Sequence, residues 1–117
     1  MLPGIYVNGK LTENENIADI GGVKNSYHAY STLIADAANE PSEVPGLTNI
    51  QLFFVAYAQG WCEVATDQYL ENQVETDVHS PARYRVIGPL QDLPEFSSVW
   101  SCPVGSYMNP TSRCEVW

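Results

Sequence analysis

With 117 residues the chain is long enough for one domain and too short for two. Its 14 acidic against five basic residues give a net charge of -9, which argues against nucleic acid and anionic membrane surfaces as partners. An apolar fraction of 44%, with three Trp, seven Tyr and three Phe, suffices for a real core, and no apolar run is long enough to span a bilayer.

The start, Met1 to Lys10, is short and rich in turn residues: Pro3-Gly4 and Asn8-Gly9. Asn-Gly between Ile5-Tyr6-Val7 and Lys10-Leu11 fits a small hairpin. The charged-then-apolar pattern of a signal peptide is missing, so targeting information is expected outside the chain. Asn109 is followed by Pro110, which spoils its sequon.

The first helix is expected over Glu13–Ala38, where Ile17, Val23, Tyr27, Tyr30 and Ile34 recur at helical spacing. Thr12 with Glu15 forms a capping box, and Asn14 is an alternative cap. Gly21-Gly22 interrupts the helix early, as glycines do where a bend or a close backbone is needed. Glu15 and Asp19 lie four residues apart, on one face. Two like charges so placed ask for something positive between or above them. A divalent metal with a histidine shell is one answer; water screening, with acids stabilised by the helix dipole, is the plainer one. His28, alone in this helix, is expected to be a surface or core residue rather than a ligand.

Pro41, Ser42, Pro45 and Gly46 mark a loop over Asn39–Thr48. A second helix is expected from Asn49 to Val64. Its apolar residues, Ile50, Leu52 to Ala56, Tyr57, Ala58 and Trp61, cover nearly the whole circumference, which predicts a central, buried helix. A third, shorter helix is expected over Thr66–Val74, capped by Thr66 or Asp67. Ser80 as N-cap with Pro81 at the first helical position then starts a helix carrying Tyr84, Val86, Ile87 and Leu90. His79 falls just outside that helix, two residues from Asp77. Pro94 to Trp100 predicts one more short helix, and Cys102 to Trp117 a loop-rich tail.

Several motifs stand in a fixed order: Glu15-Asn16-Ile17-Ala18-Asp19 with Gly21-Gly22; Gln51-Leu52-Phe53-Phe54; Trp61-Cys62; Thr76-Asp77-Val78-His79-Ser80-Pro81; Tyr84-Arg85; Leu90-Gln91; Glu95-Phe96; Met108-Asn109-Pro110; and Cys114-Glu115-Val116-Trp117. Together they resemble the C-terminal end of the neprilysin family of zinc metalloendopeptidases, which includes the endothelin-converting enzymes. The resemblance covers the whole chain. It implies a mainly α fold, with residues 1–117 as the C-terminal helical part of a thermolysin-like catalytic domain. It implies zinc as cofactor, peptides as substrates, and the upstream part of the same domain as partner.

Residue by residue, the resemblance makes Glu15 the third zinc ligand and Asp19 the carboxylate that holds a zinc-binding histidine. It makes His79 the donor to the oxyanion of the reaction, Asp77 the acid that orients His79, and Arg85 the hydrogen-bond donor to the substrate backbone. Gly60 and Trp61 match positions lining the pocket for the residue after the scissile bond, where the family is usually bulkier than Gly. Ile20 replaces the family's usual Asn, and Ala65-Thr66-Asp67 stand where Arg-Pro is common.

The large departure is an absence: no H-E-x-x-H occurs, and His28 and His79 are the only histidines. A catalytic zinc takes three protein ligands plus water, and the resemblance gives this chain one. The chain is therefore expected to be a piece of a catalytic domain, natural at its end and cut at its beginning, and inactive alone. A non-catalytic binding module or decoy that kept the fold without the zinc-binding helix is the alternative. The odd count of three cysteines, Cys62, Cys102 and Cys114, has a matching explanation. In the family each pairs with a cysteine upstream, which implies an oxidising, extracellular setting. Apolar surface left uncovered in the isolated piece is expected to favour self-association.

Overall fold

The computed structural model describes residues 4–116, and the expected Pro3 turn and Trp117 of the last motif lie outside them. Helix α1 runs over Gly9–Leu33, followed by a 3-10 turn at Ala35–Ala37. Helices α2 (Asn49–Gln59), α3 (Asp67–Thr76), α4 (Ala82–Asp92) and α5 (Pro94–Val99) follow. Among the described residues there is no strand, only an isolated antiparallel bridge between Pro41 and Thr48. The mainly α expectation holds.

Helix α1 begins earlier than expected, and the hairpin at Asn8-Gly9 does not form. The Asn8 side chain instead accepts from the backbone N–H groups of Lys10 and Leu11, at 3.2 and 3.3 Å, and caps α1. Thr12 therefore sits inside the helix, 2% exposed, its hydroxyl donating to the Asn8 carbonyl and accepting from Asn16 Nδ2. Gly21-Gly22 does not break the helix either: Gly21 is buried, and beside Gly22 there is open space. The cost of two helical glycines, about 1 kcal/mol each, is borne by a helix long enough to pack on its neighbours at both ends.

Helix α2 starts at a true capping box, in which Thr48 and Gln51 exchange side-chain-to-backbone bonds. It stops at Gln59 rather than Val64. Of its residues only Ile50 and Phe54 are buried, so the expectation of a helix covered all round is corrected. Its other apolar residues have fewer neighbours within this chain, and Gln59 faces solvent. Thr66 caps α3 as foreseen. Ser80 does not cap α4: the residue before the helix is Pro81, and no side chain caps it.

The core is Val23 of α1, Phe54 of α2, and Leu90 and Leu93 at the end of α4. Tyr27, Phe53, Phe96 and Trp100 close round it. Phe54 meets Tyr27 stacked at 5.4 Å and Phe96 edge-on at 5.2 Å. The long helix α1 lies along α4, and α5 joins α4 to α2. The tail is tied down by Arg113, which donates to the Gln91 carbonyl at 2.9 Å and to Ser97 Oγ at 3.2 Å. Removing the α1 cap tests the corrected helix start: Asn8→Ala is expected to cost about 1 kcal/mol in urea unfolding, whereas Asn14→Ala, at an exposed mid-helix position, leaves stability unchanged or slightly higher.

Candidate active site

Two stretches of chain build the site, the first half of α1 and the run from the end of α3 into α4. The first half of α1 presents Glu15 and Asp19 one turn apart. The connection between α3 and α4 presents Asp77 and His79, and the first turn of α4 presents Arg85.

The connection is held by short-range bonds. Asp77 ends α3 in extended backbone, and its Oδ1 accepts the backbone N–H of His79 at 2.9 Å. The same oxygen lies 2.9 Å from His79 Nδ1. These two bonds, the backbone one first, hold the Asp77 carboxyl below its ordinary range. The neighbouring Ser80 Oγ donates to Asn16 Oδ1 at 2.8 Å, which pins the loop to α1. With that pin in place His79 Nε2 lies 3.2 Å from Glu15 Oε2. The imidazole thus spans two carboxylates, one from each element.

One turn along α1, Asp19 takes a two-pronged grip from Arg85. Nε donates to Oδ2 and Nη2 to Oδ1, both at 2.7 Å. The pair is largely buried, at 19% and 12% side-chain exposure. The Asp19 bond is the main reason the Arg85 guanidinium titrates above its ordinary value. The guanidinium also lies over the Trp61 ring, 4.0 Å from its centre. Trp61, Gln73, Asp77, His79 and Arg85 border a cleft of about 220 Å³. Trp61 also borders a second, less polar cleft of about 300 Å³, with Leu70, Val74 and Tyr84, which includes neither Glu15 nor His79.

The structure therefore brings together Glu15, Asp19, Asp77, His79, Arg85 and Trp61. Gly60 stays apart: it ends α2, is exposed, and lines neither cleft. Within this chain Asp19 holds Arg85 and not a histidine, although each of its oxygens keeps a lone pair. Arg85 keeps three of its five N–H donors for other partners. His28 is on the surface, 3.6 Å from Glu95, as expected.

Sequence reasoning missed three contributors. Ser80 and Asn16 were legible only as a cap and a helix residue, because the bond between them joins the loop before α4 to α1. Tyr57, four residues before Trp61, donates its hydroxyl to the Arg85 carbonyl at 2.6 Å. Burial first, then the Asp19 charge, push its phenol up to about 12.

As for a metal, among the described residues no three or more His, Cys, Asp or Glu side chains are grouped to hold one. Glu15 offers a half-exposed carboxylate with a histidine beside it. That donor set fits one position of a zinc shell and does not complete one. Cys62 and Cys114 are exposed, Cys102 is half-buried, all three are free, and none stands in such a group.

Residues 3–116 match the family model of Peptidase family M13. An endothelin-converting enzyme homolog of Locusta migratoria is 48% identical over 116 residues, 96% of this chain and 16% of its own length. Neprilysin-3 of Drosophila melanogaster is 49% identical over 97% of this chain and 15% of its own. Endothelin-converting enzyme 1 of Homo sapiens is 50% identical over 97% and 15%. Among solved structures, a Haemonchus galactose-containing glycoprotein complex superposes with a TM-score of 0.86 at 39% identity, over 99% of this chain and 20% of that one. The chain belongs to Peptidase family M13. It spans about one-sixth of the length of its Locusta relative. The resemblance to the C-terminal segment of the neprilysin and endothelin-converting enzyme group is thereby borne out.

The shift on Asp77 has a sign. A carboxyl whose folded pKa lies below its unfolded value near 3.8 adds stability above that value and loses it as pH falls through the folded one. Acid unfolding of the native chain should therefore steepen below about pH 4, and Asp77→Asn should flatten that limb while leaving the neutral-pH helix content intact by circular dichroism.

Proposed function

We propose that this chain is part of a zinc-dependent metalloendopeptidase that hydrolyses peptide bonds, contributing the third zinc ligand and the oxyanion donor while remaining inactive alone. The observation that carries this reading is the 3.2 Å approach of His79 to Glu15, with Asp77 behind the imidazole and the Asp19–Arg85 pair one turn away. Membership of Peptidase family M13 supports it.

In this reading Glu15 holds zinc together with two histidines from outside these residues. The metal, when bound, supplies an activated water and polarises the scissile carbonyl. The chain's own residues do the rest. Asp77 fixes the imidazole's orientation, so that the Nε2 side of His79 faces the charge that develops on the carbonyl oxygen. Arg85, clamped by Asp19, directs its remaining N–H groups toward a backbone carbonyl of the peptide. Trp61 walls the cleft in which the side chain beyond the cut is received. Gly60, which lines neither cleft, directly precedes Trp61 at the end of α2.

The remaining part of the domain is the natural partner. Leu33, Val64 and Val104 are more than 80% exposed here, apolar surface that such a partner would cover and that favours self-association without it. In this reading Cys62, Cys102 and Cys114 form disulfides with cysteines outside the chain, which suits an extracellular setting, as a secreted or membrane-anchored ectodomain. No helix among the described residues is long and apolar enough to cross a membrane.

Calorimetry with zinc on the thiol-blocked chain is expected to find no tight site. A tight site that vanishes in Glu15→Ala would show that the chain completes the shell itself and would overturn the reading of a shared one. In a catalytic domain carrying this segment, His79→Ala is expected to lower kcat about 10²- to 10³-fold with little change in KM. Full activity in that variant would remove His79 from the chemistry.

A further inference from the structure

Pro89 lies inside α4 and is buried. A proline in a helix has no N–H to give, so the carbonyl four residues earlier loses its helical donor. That carbonyl belongs to Arg85. The Tyr57 hydroxyl, arriving from α2, donates to this carbonyl at 2.6 Å. An outside donor thus stands where the helix lacks its own. The same Arg85 carries the guanidinium that grips Asp19 and lies over Trp61.

We propose that Tyr57 is a positioning residue, which replaces the hydrogen bond that Pro89 removes and so fixes the turn of α4 that aims Arg85 at Asp19 and Trp61. The last step, from a fixed Arg85 to a bound peptide, rests on the function proposed above; the positioning itself does not.

Three further observations agree. Gly88 precedes Pro89, and a Cβ there would meet nothing within 4 Å, so no side chain holds the turn at that position. The Tyr57 ring packs on the core cluster, as Val86 of α4 does, so the hydroxyl is delivered from a fixed support. Its phenol, pushed up to about 12, stays protonated and able to donate throughout the neutral range.

A double-substitution cycle on the whole chain tests this, read by the solvent exchange of the Arg85 Nε–H in NMR spectra. Tyr57→Phe keeps the ring and removes the hydroxyl. It is expected to speed that exchange about tenfold, as the loss of one hydrogen bond would. Pro89→Ala restores the missing backbone N–H, so Y57F/P89A is expected to return to the native rate. Unchanged exchange in Y57F, with native circular dichroism, would overturn the proposal. So would equal acceleration in Y57F and Y57F/P89A, since the hydroxyl would then not be replacing the lost donor. In a catalytic domain carrying the segment, Y57F should raise KM several-fold and spare kcat. Faster Nε–H exchange in Y57F, together with an unchanged KM in a separate Arg85→Ala variant, upholds the positioning and sinks only the substrate role of Arg85.

Discussion

The pairing of Asp19 with Arg85 is the constraint on which the rest of the site depends. It joins α1 to α4, the two helices whose packing forms the body of the chain. Both side chains are mostly buried, so neither charge can be left alone without a large desolvation cost. The two-pronged geometry leaves little rotational freedom. Once α1 and α4 are set in this register, the loop entering α4 has to pass Glu15, and His79 meets it. Ser80 meets Asn16 for the same reason.

Glu15 and Asp19 share a helix face, and their mutual repulsion would weaken α1. Each is relieved by a different partner. Arg85 answers Asp19 directly; His79, itself leaning on Asp77, stands against Glu15. The site is thus an alternation of acids and bases drawn from separate segments. Its free donors are those Arg85 has left over, and its free acceptors belong to carboxylates.

Much of this was legible in the sequence because it is periodic or local. The four-residue spacing put Glu15 and Asp19 on one face, and Asp77 reaches His79 across two residues, within the range of a turn. Thr66 read correctly as a cap for the same local reason. The errors share a cause as well. Asn8-Gly9 is a hairpin signal only if two strands exist to be joined; without them, Asn8 is free to cap a helix. Ser80-Pro81 has the composition of a helix start, but Asn16, far away in sequence, takes the serine hydroxyl. The circumference of α2 is apolar, yet burial depends on what surrounds a helix, and this chain covers one side of it. Arg85 was legible as a donor, while its clamp by Asp19 and the Tyr57 bond beneath it depend on three helices meeting, which no local pattern encodes.

Helix α1 is a single rod of 25 residues that carries Glu15 and Asp19 in its first half and Val23 and Tyr27 of the core in its second. At 1.5 Å per residue the two regions lie about 6–18 Å apart along one axis. Site and core are therefore mechanically one piece. A tilt of the rod that loosens Val23 also swings Glu15 away from His79, and the two cannot open in separate steps as lid and body do in hinged enzymes. The acid array shares one helix with the core, whereas Asp77 and His79 stand on the α3–α4 connection outside it.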